Sequence, residues 1–231
     1  MKIGGLQKLT LIDYPGRLAC TVFLVGCDFR CPWCYSSELV LPEKIKRQLK
    51  ISEREFFKFL KSKRKFLEGV VICGGEPCLN QELPRFSKDI KKLGYAVKLD
   101  TNGSFPEMLR HLINEKLIDY VAMDIKAPKE QYGLGQGRKI NIKNIERSVA
   151  LLMDNKIDYE FRTTVVPGLL KKNDIIKIAK WISGAKRYYL QKFLPEKTLD
   201  PEFQKVKPYS ERYLLGIQKA ISPLFEVCQI R

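Results

Sequence analysis

The sequence predicts an α/β fold of parallel strand–helix units in one domain, on three observations. Six short apolar, β-branched runs alternate with six longer amphipathic stretches along the 231 residues. No domain-sized linker interrupts the alternation. Polar and sulfur-bearing residues collect where the apolar runs end. In a parallel α/β protein the strand C-termini share one face, so such residues converge there.

The first strand is expected over residues 18–26 (LACTVFLVG), an apolar run too short for a membrane span. A helix over 52–65 follows, opened by a capping box in which Ser52 precedes Glu55 by three positions. Strands over 69–73 (GVVIC), 95–100 (YAVKLD), 120–125 (YVAMDI), 158–166 (DYEFRTTVV) and 187–191 continue the series. Helices are expected between and after them, over 81–92, 105–116, 141–155, 173–182 and 209–221. The period alone leaves an open doubly wound sheet and a full or partial barrel both standing. Residues 126–139 (KAPKEQYGLGQGRK) form the longest stretch without pattern, and Gly-rich loops of that size are often functional.

Composition narrows the class. Hydrophobic residues make up 45% of the chain, which supports a full core and excludes global disorder. The opening residues carry no apolar signal-peptide core, so the cytoplasm is the expected compartment. Forty-two basic residues against 26 acidic ones give a net charge of +16. That excess suits an acidic partner, either a protein surface or, less favoured, nucleic acid. It equally suits a solvated Lys-rich exterior, since runs at 44–50, 58–65 and 171–172 mix with apolar residues at helical spacing. Seven cysteines in a cytoplasmic chain should be thiols, and an odd number cannot pair completely.

Three of those cysteines crowd into eight residues: Cys27-Asp28-Phe29-Arg30-Cys31-Pro32-Trp33-Cys34. Thiolates at C-x3-C-x2-C spacing can hold three corners of an iron–sulfur cubane and leave one iron open, because full protein ligation takes four. Structural zinc is the alternative. It usually requires two paired units, and no second pair exists, although Cys73 or Cys78 remains a conceivable fourth ligand.

The cluster loop, with Trp33 as its aromatic, resembles the signature of radical S-adenosylmethionine (SAM) enzymes. Gly74-Gly75-Glu76-Pro77 resembles the GGE-P motif of the same superfamily. Residues 6–26, 99–103 (LDTNG), 123–126 (MDIK) and 162–168 (RTTVVPG) resemble the activating enzymes of glycyl-radical enzymes. Among those, the similarity is to the anaerobic ribonucleoside-triphosphate reductase activating proteins, and it covers nearly the whole chain. It implies a partial (β/α)6 TIM-like barrel as a single domain over 1–231. The cluster loop would span 27–34, the core barrel about 18–192 and a C-terminal helical extension about 193–231.

The resemblance also implies roles. Cys27, Cys31 and Cys34 would hold a [4Fe–4S] cluster whose open iron binds SAM. Gly74, Gly75 and Glu76 would meet the SAM amino group, the carboxylate pairing with an ammonium. Asp100, Thr101 and Asp124 match positions that surround a monovalent cation in formate-lyase activases, and Trp33 and Asn102 join the cofactor-binding set. Lys126 and Arg162 match basic residues near SAM and the incoming substrate backbone. On the residues alone, Asp124 also reads as a helix cap and Arg162 as a strand-end salt bridge.

Departures bear on the substrate. Tyr35-Ser36 stands where the family often has His-Asn, and Cys73 where it commonly has Ser. The only histidine, His111, lies in a helical pattern and reads as a surface or packing residue.

The leading expectation is therefore an enzyme that cleaves SAM reductively and abstracts hydrogen from a glycine of a partner glycyl-radical enzyme. A flavodoxin- or ferredoxin-type protein would supply the electron. The runner-up keeps the chemistry but acts on a small molecule or an RNA base. A non-catalytic iron–sulfur or zinc protein explains the cysteines but not the strand-end Gly-Gly-Glu, Asp-Thr-Asn-Gly and Asp-x-Lys set.

Overall fold

Strand β1 (Ile3–Thr10) runs antiparallel to β2 (Ala19–Leu24), which leads straight into the cysteine loop. Two short helices, α1 (Ser37–Val40) and α2 (Pro42–Arg47), precede α3 (Glu53–Lys63). Regular units follow: β3 (Gly69–Gly74), α4 (Leu83–Lys92), β4 (Ala96–Thr101), α5 (Pro106–Asn114), β5 (Tyr120–Asp124) and α6 (Ile142–Met153). The series closes with β6 (Asp158–Val165), α7 (Lys172–Trp181), β7 (Arg187–Lys192), α8 (Glu211–Ile221) and β8 (Val227–Ile230). This computed structural model describes residues 1–47, 50–133 and 140–231. Part of the Gly-rich loop, 134–139, and residues 48–49 of the first basic run lie outside the described residues.

Among the described residues the strands form one eight-stranded sheet in chain order, β1 to β8, and its two edge strands do not pair with each other. From β2 onward every neighbouring pair is parallel. Six consecutive strand–helix units from β2 to α8 are the expected partial (β/α)6 barrel, left open along one flank.

Two strands, β1 and β8, lie outside the periodic pattern. The first, β1, carries Gly4-Gly5 directly after Ile3 and then alternates poorly. The second corrects the expected helical extension: residues 193–231 carry α8, but the chain then turns back into the sheet as β8 beside β7. A four-residue strand (VCQI) has no period to detect.

Helix starts follow local chemistry. Ser52 Oγ accepts from the Glu55 N–H at 3.2 Å, and the Ser52 N–H donates to Glu55 Oε2 at 2.9 Å, completing the expected capping box. Pro106 opens α5, where its missing N–H would have been unpaired in any case. His111 is exposed on α5, as its pattern suggested.

Successive strand residues face opposite sides. One set, including Val22, Ile72, Leu99, Val121, Phe161 and Leu190, is buried under the helices as the main core. The other set faces the barrel lumen. At the N-terminal ends of the strands that lumen is plugged by Tyr14, from the loop joining β1 to β2. Tyr14 is 3% exposed and packs with Ala19, Val71 and Tyr120, its ring centroid 6.0 Å from that of Tyr120. Leu11 and Ile12 beside it stay exposed.

Tyr14→Ala should therefore destabilise the protein by about 3–5 kcal/mol, the usual range for emptying a buried aromatic site. Tyr14→Phe keeps the ring and should cost under about 1.5 kcal/mol. Urea unfolding of both variants measures the difference, and equal losses would show that the hydroxyl, not the plug, matters.

Candidate active site

All the sequence-expected site residues except Glu76 line one cavity of about 480 Å³ at the C-terminal ends of the strands. That size lies within the ordinary range for small-molecule sites.

Cys27, Cys31 and Cys34 are free thiols on the cavity wall. Their loop is braced from within: the Arg30 guanidinium donates to the carbonyls of Cys27 and Phe29, both at 2.7 Å, and the Cys34 N–H donates to Cys31 O at 3.0 Å. The Phe29 N–H points at Cys27 Sγ, 3.4 Å away. Phe29 and Trp33 are buried beside them, 3% and 6% exposed, and Cys31 is buried while Cys27 and Cys34 are half-buried. Burial pushes the Cys31 thiol up to about 12, with Lys126 pulling the other way. Thiolates here therefore need a compensating positive charge, which bound metal supplies.

The residues fit an iron–sulfur cluster better than a single ion. Among the described residues no three His, Cys, Asp or Glu side chains gather as a one-ion site would require. The three thiols line one cavity, and a cubane takes one thiolate per iron. Of the remaining cysteines, only Cys73 also lines the cavity. Cys20 and Cys78 are buried elsewhere, and Cys228 lies on β8.

The Gly74-Gly75-Glu76 turn is shaped by its own chain. Gly74 sits at φ +120°, where a side chain would overlap the Leu24 backbone, and a Cβ on Gly75 would overlap the carbonyl of Gly26. The glycines thus press β3 against the start of the cluster loop, with the Glu76 N–H on Gly26 O at 2.8 Å.

Glu76, expected to meet a ligand amino group, is engaged by the chain's own donors. Its carboxylate is fully buried behind the wall. It accepts from the Cys78 N–H at 2.9 Å, Thr101 Oγ1 at 2.8 Å and the Asn102 N–H at 2.7 Å. Asn102 Nδ2 then donates to Asp28 in the cluster loop at 2.9 Å, so Glu76 ties the β3 turn, the β4 end and that loop together.

Across the cavity, Arg162 Nη1 donates to Asp100 at 3.0 Å and its Nε to Asp124 at 3.0 Å. Lys98 pairs with Asp100 at 2.7 Å, and Lys126 with Asp124 at 3.2 Å. Burial alone would raise Asp124, but Arg162 and Lys126 outweigh it and hold the carboxyl at about 2. Asp100 is likewise lowered: burial is outweighed by Arg162 and Lys98. The carboxylates associated above with a monovalent cation are thus already bridged by a guanidinium. Lys126 and Arg162, expected near the substrate backbone, are both engaged by acids.

Further lining residues were not anticipated: Tyr35, Thr164, Gln191, Lys192, Leu194 and Arg231. Tyr35 Oη accepts from the Leu194 N–H at 2.7 Å and so pins the segment after β7 to the cluster loop. A signal for some of them was present. In β6 the alternation Asp158, Glu160, Arg162, Thr164 is polar at every second position, which marks a hydrophilic lumen face.

Comparison with known proteins follows the same residues. A family description, the radical SAM superfamily, matches residues 21–182. A candidate glycyl-radical enzyme activating enzyme of Methanocaldococcus jannaschii is 34% identical over 239 residues, covering 99% of this chain and 95% of that protein. The 7-carboxy-7-deazaguanine synthase of Aquifex aeolicus is 36% identical over only 81 residues, 35% of this chain and 34% of that one. Among solved structures, SuiB of Streptococcus suis bound to S-adenosylmethionine superposes with a TM-score of 0.67 at 13% identity, over 89% of this chain and 48% of that one. SuiB bound to its precursor peptide SuiA gives 0.69 at 12%, over 90% and 47%. The chain spans about half the length of SuiB, and at that identity the likeness concerns the fold.

Glu76 generates a prediction. Burial pushes its pKa from 4.5 up to about 7, against the pull of its three donors. A carboxyl with a raised folded-state pKa favours folding below the unfolded value and loses that contribution as pH rises through the folded one. Stability should therefore fall between pH 4.5 and 7, by about 3 kcal/mol from this group. Glu76→Gln should flatten that slope, while lowering stability at both ends because an amide N–H₂ faces a donor. Urea unfolding at pH 5 and pH 7 checks this, and an unchanged slope would discard it.

Proposed function

The chain belongs to the radical SAM superfamily, and we propose that within it the protein activates a glycyl-radical enzyme. A [4Fe–4S] cluster and S-adenosylmethionine are the cofactors of this family. The observation that carries the finer reading is the full-length likeness to the candidate activating enzyme of Methanocaldococcus jannaschii. The barrel flank left open between β1 and β8 supports it, since a protein substrate has to present its glycine as a chain segment entering from outside.

Cys27, Cys31 and Cys34 would hold the cluster, and Trp33, Gly74, Gly75, Asp100, Thr101, Asn102 and Asp124 form the wall available to SAM. When bound, this pair supplies a deoxyadenosyl radical that takes a hydrogen atom, here from a glycine α-carbon. The chain's own residues position and protect. The Asp100–Arg162–Asp124–Lys126 network keeps two carboxylates ionised on the wall, where they can receive an ammonium or hold the cations in place. Phe29 and Trp33 supply buried apolar surface within the cysteine loop, and Tyr35 fixes the rim through Leu194. Glu76 holds the Thr101–Asn102 end against the cluster loop.

A flavodoxin- or ferredoxin-type electron donor and a cytoplasmic setting go with this reading. Seven free thiols suit a reducing compartment. No helix among the described residues is long and apolar enough to cross a membrane. A second reading, a small-molecule substrate, is favoured by the local likeness to a 7-carboxy-7-deazaguanine synthase.

Reduced, cluster-loaded protein incubated with SAM and a co-encoded glycyl-radical enzyme should produce a glycyl radical, read by electron paramagnetic resonance, together with 5′-deoxyadenosine. Deoxyadenosine without any glycyl radical would favour the small-molecule reading. Arg162→Ala should lower both products in parallel, because it leaves two carboxylates facing each other without their shared cation. Removing one partner of a buried ion pair costs about 3–5 kcal/mol. A loss confined to the glycyl radical would place Arg162 at the substrate instead.

A further inference from the structure

Charge on the cavity wall is unbalanced. Four cations, Lys126, Arg162, Lys192 and Arg231, line it against two carboxylates, Asp100 and Asp124. Of the buried charges behind it, Lys98 pairs with Asp100 and Glu160 with Arg231. Lys126 and Arg162 are matched on their own side of the cavity by those two carboxylates. Of the two cations at the ends of β7 and β8, Arg231 is partly offset by Glu160, and Lys192 has no acidic partner among the described residues.

Arg231 is not a loose surface side chain there. Its N–H donates to Leu190 O at 2.8 Å and its carbonyl accepts from the Lys192 N–H at 2.9 Å, which fixes the backbone against β7. Its Nη1 donates to Glu160 Oε1 at 3.1 Å, and its guanidinium carbon lies 3.4 Å from the Tyr189 ring centroid. Glu160 is fully buried and is held in turn by the Tyr120 hydroxyl at 2.9 Å. A guanidinium stacked flat on a ring and anchored through one nitrogen has lost most of its rotational freedom. Among the described residues Nε and Nη2 make no hydrogen bond, so two donors of the planar fork remain available. Lys192 adds a second cation to the same wall and has no acidic partner among the described residues. Two preset donors beside an unpaired ammonium match the geometry and charge of a carboxylate.

We propose that Arg231, with Lys192 beside it, binds a carboxylate carried by the substrate. Only the source of that carboxylate rests on the activating-enzyme reading: on that reading it is an acidic side chain near the target glycine of the partner's segment. Glu160 and Tyr189 are positioning residues, which act by holding the guanidinium and do not themselves contact substrate. The same wall would bind the carboxylate of a small acid, and the probes below separate the two sources.

The test is anaerobic calorimetry on cluster-loaded protein with SAM present, using blocked tripeptides Glu-Gly-Glu and Gln-Gly-Gln and, as a small carboxylate, N-acetylglutamate. The acidic tripeptide should bind roughly ten- to a hundredfold tighter than its amide counterpart, the range for a charge-assisted pair. Added salt should shrink that preference. Arg231→Gln should bring the ratio to within about twofold, and Arg231→Lys should keep part of it. Lys192→Gln serves as the second variant, because its side chain anchors nothing and its loss does not threaten folding; it should reduce the ratio severalfold. No acidic preference in the unmodified protein, or an undiminished one in folded Arg231→Gln and Lys192→Gln, overturns the proposal. N-acetylglutamate binding as tightly as the acidic tripeptide would uphold the carboxylate site and overturn its assignment to a peptide. A preserved preference with no glycyl radical from any co-encoded partner would sink the activating reading and leave this site standing; radical formation with no preference would do the reverse.

Discussion

The guanidinium of Arg162 lies between Asp100 and Asp124, tying together the ends of three neighbouring strands. With β4, β5 and β6 in parallel register, these side chains come from adjacent lumen positions, and Asp124 and Arg162 are direct register partners. Asp100, Asp124 and Arg162 are each a charge that would be prohibitive to bury alone. Arg162 offsets both carboxylates at once, while Lys98 and Lys126 each complete one of them. The lumen is therefore charged yet nearly neutral on that wall, and three strand ends are held at fixed spacing. A rigid polar wall of this kind suits a site that must orient a reactive cofactor, because small misplacements are costly in rate.

A second, smaller constraint couples that wall to the cysteine loop. Glu76 joins the turn after β3 to the end of β4, and Asn102 extends the connection to Asp28 between the first two cysteines. The flush contact of Gly74 and Gly75 with the backbone of residues 24–26 lets the turn sit close enough for this. The thiols are thus positioned by hydrogen bonds that begin on two other strands. At the far end of the lumen, Tyr14 packs against Ala19, Val71 and Tyr120 and plugs the barrel.

How much of this was legible in the chain depended on the range of the interaction concerned. The cysteine spacing, the capping box at Ser52 and the convergence of strand-end polar residues are local or periodic features, and the structure brings those residues to one cavity. The strand β8 was not legible, because four residues carry no period and its identity comes from pairing with β7. For the same reason Arg231, distant in sequence from every motif, could not be placed on the cavity wall. Glu76 sits within a recognisable motif, but whether its carboxylate meets ligand or backbone depends on which donors surround it. Two of its three donors, Thr101 and Asn102, come from the end of β4, some 25 residues further on.

The sequence by itself determined the chemistry this protein carries: three clustered thiols with an open corner, six parallel strand–helix units, and a polar rim where the strands end. It did so because ligand type, spacing and hydrophobic period are written in neighbouring residues. Only the tertiary structure decided the division of charge. It assigned Arg162 and Lys126 to the acids beside them, drew Glu76 behind the wall, and left Arg231 and Lys192 facing the cavity. Pairing between buried charges depends on distances between strands far apart in the chain, and those distances exist only once the barrel has closed around them.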